Sequence, residues 1–372
     1  MNKKQSYATL LLILVTQVMV SQAKVASNGS MDSPNILFVF SDDHAWQSIG
    51  AYGGRLKEVA HTPNIDKLAS EGMLFRKCFV ANALCGPSRA AVLTGKYGHR
   101  NGVTWNRNTN FDGSQQTFPK MMRQNGYQTA IIGKWHLASV PSGFDYFDVM
   151  KGQGRYYNPF LQRGNAEGLQ DTRTVVGYNS DIVGDLTIEW LKNGRDKSKP
   201  FMLMSQFKAT HHGFCPGPEE YDLYDDVHIP EPDNLFDDFS YRGTAIREQT
   251  LTLYKNLSHS ILVGDPGELG ELNLDQRKAW DAYRSKFSKP YQAMNLNWSD
   301  QSRELSRFKY QSLLKNFLAS GAGIDKNVGR IRAFLQENNL ADNTVVIYMA
   351  DHGFFLGEHG FFDKRFMYEE AL

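Results

Sequence analysis

The sequence has few cysteines and almost no net charge. Its 372 residues include only three cysteines, which excludes a fold held together by many disulfides. Lysine and arginine total 41 and aspartate and glutamate 40, so the formal net charge is +1 and no global field favours nucleic acid. Hydrophobic residues make up 41% of the chain, enough for a large core. We therefore expect a globular protein that does not bind nucleic acid.

Long apolar runs are missing after the amino terminus. Two lysines precede an apolar run over residues 8–20, and small residues follow it, a pattern typical of a cleavable export signal over residues 1–23. The run is short for a membrane span, so we expect no stable membrane insertion, with a membrane anchor as the alternative. The polar residues 24–34 are predicted to be flexible. We expect an exported protein, periplasmic or extracellular, or lysosomal if the source is an animal.

Short apolar runs alternate with helical patterns in the rest of the chain. Continuous apolar runs over 35–40, 201–207 and 344–349 predict strands buried on both faces. An amphipathic helix is predicted over 326–337. The polar, glycine- and proline-containing segment 257–303 predicts a long irregular surface insertion. Strands that alternate with helices predict an α/β/α sandwich around a mostly parallel sheet.

Charged or imidazole side chains follow these three predicted strands and a fourth, predicted over 128–132. In parallel sheets, ligands bind beyond the carboxyl ends of the strands, so four such ends predict one active site at one edge of the sheet. The residues concerned are Asp42 and Asp43, Lys134 and His136, His211 and His212, and Asp351 and His352.

The acidic members of this group predict a metal site. Asp42, Asp43 and Asp351 would place three negative charges close together, which is costly unless a cation lies among them. Carboxylate oxygens suit calcium or magnesium, and His352 could complete the shell. The alternative is that these acids cap helices and turns.

Three basic residues could bind an anion beside such a metal. Arg89, Lys134 and Lys364 together would neutralise a tetrahedral oxyanion such as sulfate or phosphate. The alternative for any single lysine is a solvated surface charge.

Cys85 begins a predicted helix next to these groups. A low-pKa thiolate nucleophile is one interpretation, since a helix amino terminus favours negative charge. A buried, inert cysteine is another. Neither interpretation explains why a sulfur atom, which prefers soft metal ions, lies among carboxylates, which prefer hard ones. The third interpretation is that residue 85 is not a thiol in the working protein.

The segment Cys85-Gly86-Pro87-Ser88-Arg89 resembles the C-x-P-S-R signature of type I, formylglycine-dependent sulfatases, which belong to the alkaline phosphatase-like superfamily. Four further blocks occur in the family's order, and the resemblance extends from residue 35 to residue 372. Those blocks are Asn35-Ile-Leu with Ser41-Asp42-Asp43, Gly133-Lys134-Trp135-His136, Phe207-Lys208-Ala209-Thr210-His211, and Asp351-His352-Gly353 with Asp363-Lys364-Arg365.

The resemblance implies a modified cysteine and one bound ion. In this family the cysteine is oxidised during export to Cα-formylglycine by a maturation enzyme, and the aldehyde hydrate is the nucleophile. One calcium ion would be held by several side chains from distant parts of the chain. The implied calcium ligands are Asp42, Asp43, the modified Cys85, Asp351 and His352.

The resemblance also implies roles for the remaining candidates. Arg89 would orient the formylglycine hydrate, and Lys134 and His136 would hold its hydroxyls. Lys364 would contact the sulfate. His211 would protonate the leaving group, with His212 as a rival because Thr210-His211-His212 replaces the more frequent Pro-His-x-Pro.

Segments 152–159 and 363–370 look most like those of carbohydrate sulfatases of the N-acetylglucosamine-6-sulfatase-like and iduronate-2-sulfatase-like kinds. A sulfated glycan is therefore the expected substrate.

Family members continue past residue 372 with a further strand and a smaller domain, so we expect a catalytic domain over 35–372 whose C-terminal subdomain is missing. The alternatives are a phosphate or phosphonate ester hydrolase of the same superfamily and a truncated, non-catalytic glycan-binding remnant.

Overall fold

The computed structural model describes residues 33–107, 110–262 and 264–372. The predicted export signal over 1–23 and most of the predicted flexible segment 24–34 lie outside the described residues. Residues 35–372 form one compact unit. Within the described part of the chain, no helix combines the length and the apolar character needed to cross a membrane.

A seven-stranded sheet lies at the centre of the described structure, in the order β5-β4-β3-β2-β6-β1-β7. Strands β3, β2, β6, β1 and β7 run parallel, and β4 and β5 continue the sheet antiparallel. A separate ribbon pairs β8 with β9. The strands are β1 (Asn35–Ser41), β2 (Gln128–Lys134), β3 (Tyr146–Met150), β4 (Phe160–Asn165), β5 (Gly168–Thr174), β6 (Phe201–Gln206), β7 (Thr344–Ala350), β8 (Phe355–Leu356) and β9 (Phe362–Asp363).

Helices of very different lengths connect and cover these strands. The α-helices are α1 (Pro63–Glu71), α2 (Cys85–Thr94), α3 (Gly98–Asn101), α4 (Phe118–Gln124), α5 (Asn179–Glu189), α6 (Thr244–Arg247), α7 (Leu253–Asn256), α8 (Pro266–Leu269), α9 (Leu274–Met294) and α10 (Arg303–Glu337). Short 3-10 turns lie at Trp46–Ser48, Gly50–Tyr52, Pro218–Glu220, His259–Leu262, Ala341–Asn343 and Glu358–Gly360, and a π-turn lies at Trp190–Gly194.

The inner strands of the sheet are buried on both faces. The prediction of a doubly buried strand over 344–349 was wrong, because β7 is an edge strand of the described sheet and exposes Val345 and Ile347. Along β1, Leu37 and Val39 pack into one core cluster while Phe38 and Phe40 pack into the other. Successive side chains of a strand point to opposite faces, so this alternation requires an apolar layer on each side. Helices α5 and α10 contribute to the first layer, and α2 and α4 to the second. The prediction of an α/β/α sandwich with a mostly parallel sheet is confirmed.

The helix predicted over 326–337 is the end of a longer one. Helix α10 begins at Arg303, where the Ser302 hydroxyl accepts a hydrogen bond from the Leu305 amide at 3.2 Å. Its first two thirds are buried on most sides, including the polar Asn316 and Ser320. An amphipathic pattern marks only helices with one solvated face, so the start of α10 gave no such signal.

The segment 257–303 is not irregular, and that prediction was wrong. It contains α9, a helix of 21 residues that begins with a capping box between Asn273 and Gln276. Trp280, Tyr283 and Phe287 recur at helical spacing and are buried in the main core. The spacing of these aromatics is itself a helical signal, which the prediction of an irregular segment overlooked because the segment as a whole is polar.

A tertiary contact caps helix α1. The Thr62 side chain makes no capping hydrogen bond to the helix. Instead, the buried carboxylate of Asp325 on α10 accepts from the Asn64 amide at 3.0 Å and from the Ile65 amide at 2.8 Å. Two amides that would otherwise lack partners at the helix start are thereby satisfied.

We expect Asp325→Ala to lower the free energy of unfolding by about 2 kcal/mol, because it leaves these buried amides without an acceptor. Urea denaturation measures the change. Glu337→Ala, at an exposed position on the same helix, is the matched control and should change stability by less than about 0.5 kcal/mol. Equal effects of the two substitutions would contradict the proposed cap.

Candidate active site

Four parallel strands deliver the predicted site residues to one edge of the sheet. Strands β1 and β7 pair in parallel from Asn35 with Thr344 to Ser41 with Ala350, so the acids that follow the two strands emerge side by side. The Asp43 amide accordingly donates to an Asp351 carboxylate oxygen at 3.0 Å. Strand β6 lies on the other side of β1, and β2 lies beyond it.

Cys85 is the first residue of α2 and is fully buried. Its Sγ lies 3.5 Å from the Lys364 Nζ and 3.9 Å from an Asp43 carboxylate oxygen. Burial, with the charge of Asp42 as the next cause, raises the pKa of the Cys85 thiol well above its usual value. The raised pKa of this thiol opposes the interpretation of Cys85 as a low-pKa thiolate.

The acids and His352 form a group that suits a divalent cation. One donor atom from each of Asp42, Asp43, Cys85 and His352 lies within 4.8 Å of the others, and all four residues are buried. The His352 Nδ1 is 2.8 Å from the carbonyl of Gly353, which can only accept, so Nδ1 carries the proton.

The Nε2 atom of His352 is consequently a lone-pair donor without a hydrogen-bond partner. It lies 3.1 Å from an Asp43 carboxylate oxygen. Two buried atoms that both present lone pairs to one another require a proton or a cation between them. The residues present therefore fit a metal ion with oxygen and imidazole ligands.

Asp351 lies at the border of this group. One of its oxygens is 3.5 Å from the His352 Nε2, and the other accepts from the Arg89 Nε at 3.1 Å. Burial, followed by the charge of Asp42, raises the pKa of Asp351 to about 6. Carboxylates that repel one another in this way are stabilised by a nearby cation.

Three buried basic side chains form ion pairs with the acids of the site. Lys134 forms an ion pair with Asp42 and also donates to the side-chain oxygen of Gln153 at 2.5 Å. Lys364 donates to both carboxylate oxygens of Asp43. Burial raises the pKa of Asp43, but the charge of Lys364 and those of the nearby histidines together outweigh it, and the pKa falls to about 2.

Arg89 binds the acids of the site. Its guanidinium lies 3.0 Å from Asp351 and 3.4 Å from Asp42. It also donates to the Lys134 carbonyl at 2.9 Å and to the side-chain oxygen of Gln206 at 2.6 Å. These contacts join the ends of β1, β2, β6 and β7. The structure thus places Arg89 beside the predicted metal ligands, in the same cluster as Cys85.

The two predicted active-site histidines are almost fully buried. His136 is 8% exposed, and burial, followed by the charge of Lys134, lowers its pKa to about 2. His211 is 7% exposed, and the same two causes lower its pKa to about 4. Both imidazoles are therefore neutral at pH 7. His212 is half-buried, and its ring packs edge-on against Phe214 at 5.5 Å.

Three side chains at this edge were not among the predicted site residues. Gln206 and Lys208 end or follow β6, as the other site residues follow their strands, so the same rule could have found them. Glu268 lies in the segment that was predicted to be an irregular insertion. Its carboxylate forms a 2.5 Å ion pair with the fully buried Lys208.

Two cavities adjoin the site. One, of about 480 Å³, is lined by His136, Trp135 and Gln153 among others. The second, of about 860 Å³, is lined by Gln153, Arg155 and Glu268 among others. Gln153 therefore connects both cavities with Lys134 of the cluster.

The chain is similar to carbohydrate sulfatases along its length. An N-acetylglucosamine-6-O-sulfatase of Bacteroides thetaiotaomicron is 40% identical over 387 residues, covering 99% of this chain and 66% of the relative. Iduronate 2-sulfatase of Homo sapiens is 25% identical over 383 residues, covering 97% of this chain and 62% of the relative. This chain thus spans less than two thirds of the length of either relative.

A solved structure of a protein in complex with its substrate, D-glucosamine-2-N,6-O-disulfate, superposes with a TM-score of 0.83. The two chains are 40% identical, and the match covers 91% of this chain and 69% of that one. The mostly parallel sheet agrees with the alkaline phosphatase-like fold of its structural neighbours. Residues 34–371 match the family model described as Sulfatase. The chain belongs to the sulfatase family.

Proposed function

We propose that the protein is a sulfuric ester hydrolase that removes sulfate from a sulfated carbohydrate. The observation that carries this proposal is the position of Cys85, a buried neutral thiol between Asp43 and Lys364 at the start of α2. A thiol is a poor nucleophile there. A formylglycine made from Cys85 during export would supply an oxygen nucleophile in its hydrated form.

Asp42, Asp43, Asp351 and His352 would hold one calcium ion, with the modified residue 85 beside them. The ion would supply positive charge that polarises a bound sulfate oxygen. Its binding is supported by the buried carboxylates and by the unpartnered Nε2 of His352.

The basic side chains would bind and orient the sulfate ester. Lys364 lies 3.5 Å from the Cys85 Sγ, and Lys134 also acts electrostatically on that sulfur. Their ammonium groups would contact sulfate oxygens and stabilise the charge that develops as the sulfur–oxygen bond breaks. Arg89 would keep Asp42 and Asp351 in position for the ion.

His136 would bind hydroxyl groups, and His211 would transfer a proton. The buried, neutral His136 would hold the hydroxyls of residue 85, as the family resemblance implies. His211 would take up a proton from solvent and give it to the alcohol oxygen of the leaving sugar, because an alkoxide is a poor leaving group without one. The alternative proton donor is His212.

The substrate class comes from the relatives and the cavities. The relatives' names point to a sugar sulfated at a primary or secondary hydroxyl, and cavities of about 480 and 860 Å³ offer room for a saccharide. We assign N-acetylglucosamine 6-sulfate as the first substrate to test. The proposed partners are this sulfated glycan and a formylglycine-generating maturation enzyme, and the proposed location is the periplasm or the extracellular space.

The test is a side-by-side assay of the purified protein produced together with a formylglycine-generating enzyme. Release of inorganic sulfate from N-acetylglucosamine 6-sulfate should exceed phosphate release from the matching 6-phosphate by at least about a hundredfold. Faster phosphate release would support a phosphate ester hydrolase instead. Glycan binding without release of either anion, by protein in which residue 85 is an aldehyde, would support a non-catalytic glycan-binding protein.

The two adjacent histidines should differ strongly as proton donors. We expect His211→Ala to lower kcat for the sugar sulfate by about a hundredfold or more, because it removes general acid assistance to an alkoxide. His212→Ala should lower kcat by less than about fivefold, since that ring packs on Phe214. Steady-state kinetics on both variants measure this difference. A larger loss for His212→Ala would assign the role to His212.

A further inference from the structure

Helix α8 places the carboxylate of Glu268 beside His211, the proposed proton donor. The Glu268 carbonyl accepts a hydrogen bond from the Tyr156 amide at 2.8 Å, and the Leu269 carbonyl accepts from the Tyr157 amide at 2.8 Å. The Tyr156 hydroxyl in turn donates to the His211 carbonyl at 2.5 Å. Helix α8 is therefore linked, through the backbone and the hydroxyl of Tyr156, to the strand-end loop that carries His211.

The Glu268 carboxylate faces two buried groups on that loop. Its Oε2 forms the 2.5 Å ion pair with Lys208 and lies 3.6 Å from the His211 Nδ1. The side chain itself is 19% exposed. Burial alone would raise the pKa of Glu268, but the charge of Lys208 and the contact with His211 lower it, so the group is a carboxylate.

Two acceptor oxygens lie near the inner nitrogen of His211. The His212 carbonyl is 3.3 Å from Nδ1, and the Glu268 carboxylate is the second oxygen close to it. This environment favours the tautomer with its proton on Nδ1. The outer nitrogen, Nε2, is then the atom that takes up a proton from solvent and passes it to the leaving oxygen, which returns the imidazole to its neutral form. A negative charge behind the ring also stabilises the imidazolium against the nearby Lys134 and Lys208.

We propose that Glu268 is a positioning residue for His211, which fixes the orientation and tautomer of the imidazole and compensates its positive charge. This inference rests on the proposed function, in which His211 protonates the departing alcohol. It gives the segment 257–303 a direct role in the reaction, through a residue that is distant from the sulfatase signature in sequence.

The competing explanation is that Glu268 only neutralises Lys208. A fully buried lysine without its partner destabilises a protein, so loss of Glu268 could act through folding alone. The double variant Lys208→Met with Glu268→Gln removes both charges. If Glu268 served Lys208 alone, this double variant would regain wild-type kcat.

The experiment measures kcat, KM and melting temperature of the full chain for N-acetylglucosamine 6-sulfate. Glu268→Gln keeps the shape of the side chain and should lower kcat by about ten- to hundredfold, with KM changed by less than about twofold. Adding Lys208→Met should restore the melting temperature and leave kcat low. Asp275→Asn, at an exposed position in the same segment, is the matched control and should leave kcat, KM and melting temperature unchanged.

The coupling to His211 is tested in a second background. Glu268→Gln introduced into His211→Ala should change the remaining kcat by less than about threefold, because the group on which Glu268 acts is gone. An equal loss in both backgrounds, wild-type kcat for Glu268→Gln, or full recovery in the double variant with Lys208→Met would overturn the inference. If the wild-type protein released no sulfate from any sugar, the proposed function would fail instead.

Discussion

Replacing Cys85 with alanine should abolish sulfate release, with kcat/KM reduced by at least about a thousandfold. The substitution removes the atom on which the nucleophile is built. It leaves a small residue at a helix start that is already buried, so the fold should persist. Ion chromatography of released sulfate measures the effect, and circular dichroism checks the fold.

Two further variants test whether the loss of activity comes from the missing formylglycine or from the loss of any cysteine. Cys85→Ser should also fail to turn over, because a serine can take up sulfate but has no second hydroxyl with which to expel it. Cys78→Ser changes an exposed free cysteine and should retain wild-type rates. Wild-type-like turnover by purified Cys85→Ala or Cys85→Ser would refute the proposed mechanism.

Removal of divalent cations should lower sulfate release by at least about a hundredfold and lower the melting temperature. The physical reason is the repulsion among the buried carboxylates of Asp42, Asp43 and Asp351, which a bound cation relieves. Dialysis against a chelator, followed by addition of calcium, should restore both activity and melting temperature. Differential scanning fluorimetry gives the thermal readout independently of activity.

Asp43→Asn tests whether calcium binds at the assigned carboxylates. It removes one carboxylate charge beside Lys364 and His352, so calcium should no longer raise the melting temperature. Asp171→Asn, at an exposed position on β5, should keep the calcium response of the wild-type protein. A wild-type calcium response in Asp43→Asn, or full activity after complete chelation, would contradict the assigned site.

Most of the site residues can be predicted from local sequence patterns. The apolar runs of β1 and β7 end directly at Asp42 and Asp351, although only β1 is buried on both faces of the sheet. The rule that parallel strands present their carboxyl ends at one edge then brings these acids together. Arg89 follows Cys85 by one helical turn, so its place in the cluster depends only on helix α2.

The features that were missed depend on tertiary contacts. Glu268 lies on a four-residue helix that is too short to show periodicity, and its meeting with Lys208 depends on how α8 packs against Tyr156 and Tyr157. The early part of α10 is buried on most sides and shows no polar face. In both cases the information is in the packing between distant segments and not in any local pattern.

The central claim is that residue 85 carries an aldehyde in the working enzyme. Mass spectrometry of the peptide that contains residues 85–89, from protein of measured specific activity, tests it most directly. The account predicts that the fraction of peptide in the formylglycine form rises in proportion to specific activity across preparations. Full activity in protein whose residue 85 is entirely an unmodified thiol would contradict the account.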